Sequence, residues 1–103
     1  MISVKITDVE TDVITLMISS DNSTYIRIKD VELTVMDKSD HFQICSVADI
    51  RVNKPVSFFC SGKKVSSKDY CMNFIAIEED GQIYKVGVNV VKDRCAKVEK
   101  KDE

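Results

Sequence analysis

Chemistry in a small protein needs a nucleophile with a base, a metal cluster or a phosphate cradle, and few residues here can supply one. His41 is the single histidine, next to Asp40, so an imidazole acid or base would rest on it alone. It reads as a solvated turn residue. The carboxylate groups Asp8/Glu10/Asp12 and Glu78/Glu79/Asp80 fall in polar turn sequence, where charge is expected because turns are wet. Only Gly62, Gly81 and Gly87 are available as glycines, and neither a nucleophile elbow nor a glycine-rich phosphate loop can be written with them. The chain reads as non-enzymatic, with no cofactor.

Cys45, Cys60, Cys71 and Cys95 are 15, 11 and 24 positions apart, so no Cys-x-x-Cys pair seeds a zinc knuckle or redox motif. His41 and Cys45 form a His-x-x-x-Cys pair, and Cys60 and Cys71 bracket ten residues of polar loop. A His41/Cys45/Cys60/Cys71 zinc site and a Cys60–Cys71 disulfide formed on oxidation are the two alternatives to ordinary thiols. Small buried thiols are the preferred reading, since free cysteine packs as a small hydrophobe, and no metal is expected.

Charge is the remaining source of function. Fifteen Lys and Arg stand against 17 Asp and Glu, a net of −2, which argues against wholesale binding to nucleic acid or an anionic membrane. The distribution is zoned. Residues 1–50 sum to −5 and residues 69–103 to −2, whereas 51–68 holds Arg51, Lys54, Lys63, Lys64 and Lys68 with no acid. These five are the candidate partner-binding residues. The expected partner is another protein, steered by complementary charge or paired along a sheet edge, with strands at 2–6 and 83–91 as the candidate edges. A homodimer through an edge strand belongs to the same reading. The second reading is single-stranded nucleic acid bound by an oligonucleotide-binding-type barrel. The basic segment contains Phe58 and Phe59 and runs into Tyr70, although adjacent strand residues point to opposite faces.

Elements must hold these residues in place, and composition says of what kind. Fourteen Val and 11 Ile against 2 Leu and 3 Ala exclude an all-helical fold. Alternation predicts strands at 2–6, 13–18, 26–35, 42–47, 56–60, 70–77 and 83–91. The stretch 7–12 reads as an acidic turn, and 19–23 as the turn of a hairpin between strands two and three. Ile26 and Ile28 set one phase, Val31, Leu33 and Val35 the opposite one, so a bulge or corner is predicted at Lys29-Asp30. Residues 37–40 should end that strand.

Asp80-Gly81 between two alternating runs predicts a further hairpin. Segment 61–68 reads as a mobile loop, and 48–54 leaves room for one short helical turn. Nine charges among the 12 residues of 92–103 read as a frayed tail on a single domain of 1–91. The predicted core is Ile14, Leu16, Ile26, Leu33, Val35, Phe74, Ile75, Val86 and Val88. The fold class is therefore all-β, an antiparallel sandwich or small barrel of about six to eight strands. With neither a signal-like leader nor an apolar run of spanning length, no membrane partner and a cytoplasmic location are expected, and the sequon at Asn22 reads as turn chemistry.

Overall fold

A computed structural model describes residues 1–35 and 40–101. Eight strands follow one another: β1 (Ile2–Glu10), β2 (Val13–Ser20), β3 (Tyr25–Val35), β4 (His41–Arg51), β5 (Val56–Phe59), β6 (Tyr70–Ile77), β7 (Ile83–Asn89) and β8 (Lys97–Lys101). They form two antiparallel sheets, ordered β1-β2-β5 and β4-β3-β6-β7-β8. The all-β expectation holds, and no helix long and apolar enough to cross a membrane occurs among the described residues.

Period-two alternation fixes which side chains meet between the sheets. Ile2, Val4 and Ile6 of β1, Ile14, Leu16 and Ile18 of β2, and Tyr70, Met72, Phe74 and Ala76 of β6 are all buried. Eight of the nine predicted core residues are buried with them. Ile75 is the exception. Both phases of β6 are apolar at 74–77, but only one can point inward, and Ile75 is half-buried on the outer face between Lys29 and Lys85.

The phase slip in β3 is a bulge. Lys29 faces Ile75 and Glu32 faces Asn73, so the stretch between them has one residue more on β3 than on β6. Asp30 absorbs it with φ +53°, a left-handed conformation that Asp tolerates better than most residues. A second bulge at Thr7 lets β1 run to Glu10, so most of the expected acidic turn at 7–12 is strand. The hairpin at Glu78–Gln82 closes as predicted. Gly81 N–H donates to Glu78 O and Glu78 N–H to Gln82 O, both at 2.9 Å, with Gly81 at φ +92°.

Other expectations are corrected. Strands β2 and β3 do not pair: β2 lies between β1 and β5, and β3 between β4 and β6, so 21–24 crosses from sheet to sheet. That crossover is clasped by Glu79, whose carboxylate accepts the N–H groups of Thr24 and Tyr25, while Ser23 Oγ accepts Glu79 N–H at 3.1 Å. The helical turn at 48–54 is absent, because β4 continues to Arg51 and a turn with Asn53 at φ +60° follows. Within the expected tail, Lys97–Lys101 pairs with β7 as β8, Val98 opposite Val86. Loop 61–68 is pinned rather than loose: Val65 is fully buried and its N–H donates to Thr11 O at 2.8 Å. The expected stop at 37–40 lies outside the described residues except for Asp40, whose carbonyl accepts Val35 N–H at 3.1 Å.

Candidate interaction surfaces

Among the described residues the sheets are stitched together along one side. Beyond β2, strand β1 meets the segment that leads into β8: Lys5 bridges Cys95, Ile6 N–H donates to Arg94 O at 2.7 Å, and Ala96 N–H to Val4 O at 2.9 Å. The edge expected at 2–6 does end its sheet, and it is met on its outer side at 4–6 by this isolated bridge and its two flanking hydrogen bonds. The one expected at 83–91 is paired on both sides, since β7 lies between β6 and β8. On the opposite side β4 and β5 end their sheets, and no ladder joins them among the described residues. They are linked by residues 52–55, fixed where Val52 N–H donates to Thr24 O at 3.0 Å and Asn53 N–H to Ile18 O at 2.7 Å.

This open seam changes the burial of the strand beside it. Phe42, Ile44, Cys45 and Ala48 pack on the core but are only partly buried, as are Val52 and Val56 near the link. Ile50 alone in β4 is fully covered, and Val47 on the outer face is 53% exposed. The far end of the seam is bridged by Lys63. Its ammonium lies 3.5 Å from the Asp40 carboxylate and 5.0 Å from the Phe42 ring centroid, and Asp40 also accepts from Tyr70 Oη at 3.2 Å. Phe42 and Tyr70 meet edge to face at 6.0 Å.

The five basic residues singled out by sequence flank this seam and do not form one patch. Arg51 and Lys54 lie before β5, and Lys63, Lys64 and Lys68 follow it, a separation set by a four-residue strand of about 13 Å. Arg51 sits over the Tyr25 ring at 5.8 Å, so Arg51 and Lys63 are already engaged, while Lys54, Lys64 and Lys68 are exposed. Phe58 is buried and Phe59 is 63% exposed, the split that strand geometry requires. Of these two only Phe59 could serve as a platform, and it lies on the outer face of the three-stranded sheet.

The residues first considered for chemistry are dispersed. His41 begins β4, and its Nε2 lies 2.9 Å from Glu32 Oε2 on an exposed face. All four cysteines are free, and no group of three or more His, Cys, Asp or Glu placed to hold a metal occurs among the described residues. Cys60 and Cys71 do not face each other across a hairpin, because β5 and β6 belong to different sheets. Burial pushes the Cys60 thiol up to about 11, so it stays protonated and unreactive near neutrality.

One carboxylate was missed. Glu78, read as a turn acid, is 3% exposed, accepts from Ser20 Oγ at 2.8 Å and from Tyr84 Oη, and has the Met1 amino group 3.6 Å away. Burial, with the Glu78 charge beside it, pushes the Tyr84 hydroxyl up to about 12. The inward phase running Phe74, Ala76, Glu78 was the signal in the sequence, hidden because the acid also belongs to a turn motif. Strand β4 was also missed as the edge that matters. Its alternation is broken at Ser46 and Val47, which blurred its length and its exposure alike.

No family model matches the chain, and no curated protein or solved structure is significantly similar to it.

Proposed function

We propose that this domain is a non-enzymatic interaction module that accepts an extended segment of another protein along β4, in the seam between β4 and β5. The observation that carries this reading is the seam itself: a sheet edge eleven residues long flanked by partly exposed core side chains, on the side where no ladder closes the two sheets. An unpaired strand edge offers backbone donors and acceptors in a row, and an added strand satisfies them while its alternate side chains cover apolar surface. Arg51 and Lys54 at one end, with Lys64 and Lys68 beyond Lys63 at the other, favour a segment with an apolar alternating centre and acidic ends.

The test is selection from a displayed library of random extended peptides, followed by amide hydrogen exchange on the complex. Enriched peptides should alternate apolar and polar residues between acidic ends, and bound peptide should newly protect amides within 42–50. Reversing Lys63 and Lys64 to Glu should slow association about tenfold at low ionic strength and much less at high salt, without changing the fold. Enrichment without alternation, or protection appearing away from β4, would overturn the reading. So would self-association through β4 that excludes every peptide, since the edge would then serve a second copy of this chain.

A further inference from the structure

The outer face of the five-stranded sheet carries a second surface, independent of the seam. Directly opposed residues of antiparallel strands share a face, so the register writes this surface as rows. One row runs Lys29, Ile75, Lys85, Glu99 from β3 to β8, and the row beside it Arg27, Ile77, Ile83, Lys101. On the other side, Asn73 and Gly87 lead to Lys97, and at the far corner Tyr25 is paired with Arg51. In a chain of net charge −2, the register brings Lys29, Lys85, Lys97 and Lys101 onto one face.

Ion pairing decides which of those charges are free. Arg27 is held by Asp49 at 3.0 Å, so that carboxylate is answered, while Glu32, 2.9 Å from His41, is answered only by a doubly protonated ring. Lys29, Lys85, Lys97 and Lys101 make no ion pair among the described residues, and Arg51 lies over an aromatic ring. Against these four lysines stand Glu99 opposite Lys85, Glu32 in the row of Lys97, Asp30 at the bulge and Glu79 beside Tyr25. Glu79 keeps its negative charge there, because two backbone N–H groups hold its carboxyl below the usual range.

Two clefts lie on this one face, one of about 490 Å³ where Tyr25, Arg27 and Ile77 meet the carboxylates Asp49, Glu78 and Glu79, the other of about 510 Å³ over Asn73, Gly87 and Lys97 with Asp93 and Glu99 at its wall. Between them, Ile75, Ile77 and Ile83 are half-buried. Gly87 lines the second cleft, where a Cβ would stand 3.0 Å from Asn73 Oδ1. Tyr25 is 46% exposed, an aromatic wall with a guanidinium behind it. Lys29 and Lys97 are three strand steps apart, about 14 Å at the usual spacing between strands.

We infer that this face binds single-stranded nucleic acid, its phosphates running along Lys29, Lys85 and Lys97 and a base stacking on Tyr25. The combination is what that ligand needs: a line of unpaired cations on a sheet, an aromatic platform at its end and apolar surface between. A folded acidic protein would use the cations equally well but would leave Tyr25 and the two clefts without a planar occupant. The inference stands apart from strand addition at the seam, because none of Lys29, Lys85, Lys97 and Tyr25 lies on β4 or β5.

Anisotropy of a labelled single-stranded oligothymidylate, titrated with the full chain over a salt series, tests it. Three or four phosphate contacts predict a slope of log affinity on log salt of about −2 to −3. Lys29→Glu with Lys85→Glu should weaken binding at least tenfold, and Tyr25→Leu about fivefold or more with the slope unchanged. All three residues are exposed, so circular dichroism should match the parent; Lys97→Glu with Lys101→Glu is the second pair if it does not. Absence of binding at low salt overturns the inference. It is equally overturned if polyglutamate displaces the oligonucleotide at equal charge, or if Lys63→Glu with Lys64→Glu abolishes binding while the Lys29/Lys85 pair has no effect.

Discussion

Replacing Val65 by Ala should unsettle this fold more than its place in a polar loop suggests. Val65 is fully buried, and its N–H is bonded to Thr11 O at 2.8 Å, so it anchors 61–68 against the β1–β2 turn. Two consecutive left-handed residues, Ser61 at φ +52° and Gly62 at φ +75°, fix the turn that delivers it. Removing two methyl groups forfeits about 1.5 kcal/mol of transfer energy, and the cavity left behind raises the cost to about 2–3 kcal/mol. At a urea dependence of about 1–3 kcal/mol per molar, the unfolding midpoint should fall by about 1 M with the slope retained. Lys63→Ala is the comparison. It removes a half-exposed ion pair with Asp40, worth at most about 1 kcal/mol. Chemical denaturation followed by circular dichroism reads both variants, and amide exchange at residue 65 reads the anchor directly. If Val65→Ala shifts the midpoint no more than Lys63→Ala does, and the Val65 amide exchanges as fast as that of Gly62, the loop is not anchored by this residue.

Three further outcomes are expected. Leu33→Ala or Phe74→Ala should cost about 2–5 kcal/mol by denaturation, since both are buried between the sheets; a loss below about 1 kcal/mol would contradict their place in the core. At the bulge, Asp30→Gly should leave stability nearly unchanged, whereas Asp30→Val should cost about 1–2 kcal/mol because a β-branched residue resists φ +53°; equal midpoints for the two would refute the left-handed assignment. Alkaline stability should depend on Tyr84. Its hydroxyl ionises near 10 when unfolded and about 12 when folded, so between those values the unfolded state binds fewer protons and stability falls as pH rises. Tyr84→Phe should flatten that part of the midpoint-against-pH curve, and an unchanged slope would count against the Tyr84–Glu78 contact.

The sequence by itself determined what depends on neighbours a few residues away. Alternation located the strands because a side chain's face is set by its parity along the backbone, and for the same reason the slip at Lys29-Asp30 had to become a bulge. Asp80-Gly81 specified a turn whose left-handed glycine can be read locally. Partnering was decided only in three dimensions. The pairing of β1 with residues near Cys95 spans some ninety positions, and ladder hydrogen bonds are made by backbone groups that every non-proline residue carries. Hydrophobic pattern thus says which way a strand faces and leaves open which strand lies beside it, so β2 left β3, the edge at 83–91 was covered by β8 and the open seam fell between β4 and β5. Strand β8 has one inward apolar residue, Val98, and exists because the edge of β7 offers it a ladder. The charge zone followed the same logic: five cations within residues 51–68 were separated by β5, while Lys29, Lys85 and Lys97, scattered along the chain, were brought onto one face by the register of four paired strands.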